Sequence, residues 1–165
     1  MSTEHAPAAP GSVTLGADAW AIALPADWLA TAPGPDRGQL YVESADGAKG
    51  MYVSSWDASA SRFDTPLKLA ESFKENSLAT LRNMPDLEWQ LIEERAEHDA
   101  QGATIYLDSL AAASAYRIAG KIMVRGHTVI RATFHDYDCQ DYAASRAYFA
   151  PIIASLRFNE PPARA

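Results

Sequence analysis

A chain of 165 residues with 48% hydrophobic residues is long enough to bury a core without a disulfide or metal, and too apolar for disorder. Its 21 acidic and 14 basic side chains leave a net charge of −7, which repels phosphate backbones and excludes nucleic acid as the expected partner. The lone cysteine, Cys139, excludes an internal disulfide, and no apolar stretch approaches the roughly 20 residues of a membrane helix.

Residues 1–11 are rich in Ala and Pro and lack the charged head and apolar run of a secretory signal. They are expected to form a mobile tail on a cytoplasmic protein. Residues 159–165, with Pro161 and Pro162, read the same way, which leaves 12–158 as one domain.

Short strands are expected first. Val13 and Leu15 precede Trp20, Ile22 and Leu24, and Pro25 and Asp27 close the run before Trp28. A Pro- and Gly-rich loop over 31–38 leads to a strand over 39–44, a turn at Asp46-Gly47 and a strand over 50–56. On that last strand Met51, Val53 and Ser55 alternate with Tyr52, Ser54 and Trp56.

Thr65 is placed to cap a helix that Pro66 starts without losing a hydrogen bond. Leu67, Ala70, Phe73, Leu78, Leu81 and Met84 form its dry stripe, Lys68, Glu71, Lys74 and Glu75 its wet face, and Pro85 ends it. Four strands follow, over 87–98, 103–110, 115–124 and 128–134, with a tight hairpin at Arg125-Gly126. Their short connectors require antiparallel pairing. The spacing of Tyr142, Phe149, Ile153 and Leu156 predicts a closing helix over 141–158, capped by Asp138 or Asp141 and kinked by Pro151. The fold class is therefore α+β: an antiparallel sheet of about six to eight strands flanked by two main helices.

The stretches over 20–28 (WAIALPADW), 128–134 (TVIRATF) and 149–158 (FAPIIASLRF), in this element order, resemble the PsbP-like fold. Its members include the photosystem extrinsic protein PsbP, the Ran-binding Mog proteins and the Eag-type chaperones of type VI secretion effectors. The resemblance spans about 12–158 in element order and rests on core residues. It implies an α/β/α sandwich and a non-catalytic protein that binds other proteins. For the chaperone group it implies apolar effector segments sheltered on a sheet, often by a dimer. Leu29-Ala30-Thr31 departs from the polar stretch expected there in that group.

The richest polar cluster is 135–141, where His135, Asp136 and Cys139 offer metal-ligand or acid–base chemistry beside a pocket. Helix capping by its acids accounts for the cluster better, because the spacing matches no ligand pattern. His98 and His127 fall at turns without a nucleophile at a diagnostic spacing, and no serine elbow, dinucleotide loop or Walker sequence occurs.

No catalytic residue, cofactor or metal is therefore expected, and the chain is read as no enzyme. The expected function is that of a bacterial binding protein, an immunity or adaptor/chaperone protein that captures a secreted effector. The alternative is a small-ligand binder or enzyme using the pocket near 135–141. The candidate contact residues are Trp56, Trp89 and Tyr106, with Glu93, Glu94 and Glu97 facing a basic partner. A homodimer is the other expected assembly.

Overall fold

A computed structural model describes residues 12–17, 19–30, 39–60 and 62–159. In chain order the elements are β1 Ser12–Gly16, β2 Trp20–Pro25, β3 Trp28–Ala30, β4 Gln39–Ser44, β5 Lys49–Asp57, α1 Pro66–Arg82, β6 Gln90–His98, β7 Gly102–Ala111, β8 Tyr116–Arg125, β9 Thr128–Asp136, α2 Tyr142–Ser155 and β10 Arg157–Phe158. Seven strands make one antiparallel sheet in the order β3-β4-β5-β9-β8-β7-β6, and β1, β2 and β10 make a second, small one. The architecture is an α+β sandwich with the large sheet as its middle layer. None of the helices among the described residues is long and apolar enough to cross a membrane.

Strand alternation sends the large sheet's side chains into two cores. On one face Met51, Val53, Ile130, Ala132 and Phe134 pack against the small sheet and α2, around Trp20, Ile22, Leu24 and Phe149. On the other, Ile105, Leu107, Ile122, Val124 and Val129 pack under Leu69 and Ala70 of α1. This second core is smaller, because α1 lies over β7 and β8 and, among the described residues, no helix lies over the β4–β5 half of the face.

Both helix starts follow from local chemistry. The Thr65 hydroxyl accepts from the Lys68 N–H at 3.2 Å, and the Asp141 carboxylate accepts from the Ala144 N–H at 3.1 Å. Asp141, not Asp138, is thus the cap of α2. The β8–β9 hairpin turns at Gly126, whose φ of 58° suits glycine.

Several boundaries differ from the sequence expectation. The Leu87 N–H bonds the Met84 carbonyl in a turn, so β6 starts at Gln90 rather than 87. Helix α2 runs through Pro151 and stops at Ser155. Arg157 and Phe158 are extended instead, pairing with Ala21 and Trp20 of β2. The buried stripe of α2 is Ser145, Phe149 and Ile152, with Ile152 in the place expected for Ile153.

The side-chain amide of Asn159 donates to the Ala17 carbonyl at 2.7 Å, which ties down a residue expected in the tail. The rest of that tail, residues 1–11 and the 31–38 loop lie outside the described residues.

Candidate functional site

Two central strand pairings, β5–β9 and β9–β8, set up three rows of side chains on the α1 face of the large sheet. Ser54 lies opposite Arg131 and Arg131 opposite Ile122; Tyr52 lies opposite Thr133 and Thr133 opposite Gly120; Gly50 lies opposite His135 and His135 opposite Ile118. Each row therefore passes from a polar side chain at β9 to an apolar residue at β8. Gly120 sends no side chain upward, and the gap beneath the C-terminal half of α1 is a hollow of about 250 Å³. Leu81 of α1 and Met84 just after it roof the hollow, Ile118, Gly120 and Ile122 floor it, and Thr133 and His135 line it on the β9 side.

Beyond that end lies an aromatic patch. Tyr41 and Tyr52 are 4.5 Å apart between ring centroids, the Tyr41 and Tyr137 hydroxyls meet at 3.2 Å, and Tyr137 stacks on His135 and Tyr116. This packing needs a glycine at 50, where a Cβ would sit 2.5 Å from the Tyr41 hydroxyl and 3.0 Å from that of Tyr137. Burial pushes the phenols of Tyr41, Tyr116 and Tyr137 above their ordinary range, so all three stay protonated near neutrality. Outward from this cluster Tyr52, Trp56 and Tyr137 remain 36%, 37% and 39% exposed.

His135 is the buried polar centre of the site. Its Nδ1 lies 2.6 Å from the Tyr116 hydroxyl and its Nε2 2.9 Å from that of Thr133. Burial lowers its pKa from 6.5 to about 4, so the ring is neutral at pH 7, with one nitrogen donating and the other accepting.

The linkage has a definite sign. The unfolded chain takes up the proton near 6.5 and the folded one resists it until about 4, so the stabilisation is complete above 6.5 and lost on acidification between those values. That loss amounts to about 3 kcal/mol. Urea unfolding at pH 7 and pH 4.5 is expected to show a steeper drop for the wild type than for His135→Gln. Parallel drops would mean that the imidazole is protonated freely in the folded state.

His135, Asp136 and Cys139 do not converge. Asp136 pairs in register with Arg117 and points to the α2 side, away from His135, and its carboxylate accepts from the Asp138 N–H at 3.1 Å. The Cys139 thiol is buried, and burial raises its pKa. Among the described residues no three His, Cys, Asp or Glu side chains gather as metal ligands. His98 and His127 are exposed.

The remaining candidates are scattered. Trp56 borders the open face, between Phe73 at 5.0 Å and the Arg131 guanidinium at 5.1 Å. Trp89 leans on Tyr116 at 5.1 Å, and its buried indole nitrogen has no hydrogen-bond partner among the described residues. Tyr106 lies on the other face of the sheet, under Arg95 at 4.2 Å.

Each glutamate of the acidic run already has a cation. Glu93 pairs with Arg146 at 3.0 Å, Glu94 with Lys74 of α1 at 2.7 Å, and Glu97 with Arg95. These exposed pairs contribute little stability, but they blunt the field that a basic partner would feel.

The buried charges that sequence reasoning missed lie behind the site. Arg117 makes two bonds to Asp108, at 2.9 and 3.0 Å, and Asp108 also accepts from the Tyr142 hydroxyl at 2.7 Å. Lys121 donates to the carbonyls of Ile153 and Leu156, both at 2.8 Å, and so closes the C-terminal end of α2. Burial pushes its pKa down to about 8.

No protein-family model matches the chain, and no curated protein sequence matches it. Solved structures do match its fold. The solution structure of cyanobacterial PsbP from Synechocystis sp. PCC 6803 superposes with a TM-score of 0.64 at 12% identity, covering 90% of this chain and 93% of that one. The Ran-binding protein Mog1p of Saccharomyces cerevisiae gives 0.53 at 13% identity, covering 88% and 93%. The α+β sandwich is thus a PsbP-like fold, a statement about architecture alone.

Proposed function

We propose that this PsbP-like chain is a non-catalytic, cytoplasmic binding module that holds another protein on the half of its large sheet that α1 leaves uncovered. The observation that carries this reading is the exposed row of Tyr52, Trp56 and Tyr137 beside a packed tyrosine–histidine cluster. Aromatic rings bring large contact area at small entropic cost, and a rigid backing pre-orders them. Glu93, Glu94 and Glu97 are already ion-paired, so the contact is led by rings rather than by charge.

The fold is shared with a protein described as Ran-binding, which is in keeping with a protein partner for this one. An adaptor, chaperone or immunity protein that captures a secreted effector is the role we assign to it. Against catalysis stands the engagement of His135, whose ring nitrogens both face hydroxyls.

Affinity purification from the native source, at native expression, tests the proposal. The wild-type chain is expected to bring down one stoichiometric protein. Tyr52→Ser combined with Trp56→Ser is expected to lose it, with binding weakened at least about thirtyfold, since each anchor contributes about 1 kcal/mol or more. Val13→Ser, on the distant small sheet, is expected to keep it. No partner, or a partner indifferent to the double substitution, would remove the support for this face.

A further inference from the structure

The hollow under α1 has a polarity of its own that a protein-docking face does not require. At its open end Arg131 is half-buried, and among the described residues its guanidinium meets the Asn76 amide oxygen at 3.3 Å and the face of Trp56. No carboxylate among the described residues is paired with it, and burial lowers its pKa with no opposing charge to restore it. In a chain of net charge −7 that is an uncommon place for a cation without an anion.

Ser54 faces Arg131 across the β5–β9 ladder, and Ser109 lines the far wall. Both residues are buried, and both line the hollow. The opposite end of the hollow is hydrocarbon, formed by Leu81, Met84, Ile118 and Ile122 above and beside Gly120.

We propose that this hollow binds a small amphipathic monocarboxylate, its carboxylate on Arg131 and Ser54 and its hydrocarbon tail over Gly120 beneath α1. One guanidinium and one hydroxyl match a single negative charge, and charge-assisted hydrogen bonds of this kind are the strong ones. The volume, room for about eight waters, lies at the small end of ligand pockets and suits a short-chain acid. The site is independent of the protein-docking reading: either stands if the other fails.

Hexanoate is the probe, and 1-hexanol, with the same tail and no charge, is its control. Titration of the 15N-labelled full chain is expected to shift the amides of 118–122, 131–135 and the C-terminal half of α1. Hexanol is expected to bind the wild type at least about tenfold more weakly than hexanoate. Arg131→Gln is expected to cost hexanoate a similar factor and to bring the two probes level. Gly120→Leu, which fills the floor, is expected to abolish both.

The comparison of the two probes on the wild type needs no variant, so misfolding of Gly120→Leu does not blunt the test. Equal affinity for hexanoate and hexanol overturns the proposal. So does unchanged hexanoate binding in Arg131→Gln, or a set of shifts centred away from the hollow.

Discussion

Asp108→Ala is expected to lower the unfolding free energy by about 3–5 kcal/mol, the range for stripping one partner from a buried ion pair. The side chains of Arg117 and Asp108 are 4% and 8% exposed, and the two bonds between them are supported by Tyr142 and by Ser145, which accepts from Arg117 at 3.2 Å. Alanine removes the carboxylate that Arg117 is paired with and leaves its guanidinium among Tyr142 and Phe149, with Asp136 in register beside it but forming no ion pair. The desolvation it suffered on folding then goes unopposed. Urea denaturation at constant m-value reads the loss directly. Removing both charges in Asp108→Leu with Arg117→Met is expected to recover most of it, since a packed apolar pair avoids the desolvation altogether. A double variant no better than Asp108→Ala would show that the hydrogen bonds to α2 matter more than the charge balance.

Phe149→Ala is expected to cost about as much, 3–5 kcal/mol, for a different reason. The ring is fully buried and meets Trp28 at 6.3 Å, Phe134 at 6.2 Å and Tyr148 at 5.2 Å, all edge to face. It joins α2 to β3 and β9 of the large sheet, so its removal leaves a cavity that three elements must relax to close. The thermal midpoint is expected to fall by on the order of 10 °C. A shift under about 2 °C, near what 1 kcal/mol produces, would mean that α2 is held chiefly by the Arg117 and Lys121 bonds.

How much of this was legible in the sequence depended on what each signal measures. Helix α1 was read well because Thr65, Pro66 and the 3.6-residue stripe all point the same way. The four-strand meander β6 to β9 followed from short connectors, and the Arg125-Gly126 hairpin turned where expected. Strand alternation, however, reports polarity and not burial. Asp108 alternates with Leu107 as a wet-face residue should, yet the sheet is covered on that side too, and Asp108 is buried against α2.

Lys121 shows the same limit of alternation as a signal. A lysine in a strand reads as solvated, but here two carbonyls at the end of α2 needed a donor. The end of α2 itself was misjudged because apolar spacing continues through Leu156 and Phe158, while pairing with β2 decides the backbone there.

For the site, Trp56 and His135 were visible as residues, but the hollow was not. It is made by a side chain that is missing at Gly120, and an absence inside an apolar run carries no pattern. Arg131 sits in the middle of a strand, where a polar residue between apolar ones is ordinary alternation. Its lack of a counter-charge emerges only when β5, β9 and α1 are brought together.

The arrangement of β8 also governs how the sheet is assembled. From one strand Arg117 and Lys121 go to the α2 layer, while Ile118, Gly120 and Ile122 go to the α1 layer. A slip of one residue against its neighbours would exchange the two sets. It would carry both cations beneath α1, orphan Asp108 and the last carbonyls of α2, and place Ala119 or Lys121 where Gly120 now leaves the gap, at a penalty of several kcal/mol. The ion pair behind the sheet thus acts as an alignment pin for the vacant spot in front of it, which keeps its place because mismatched zippering is so heavily penalised on the opposite side.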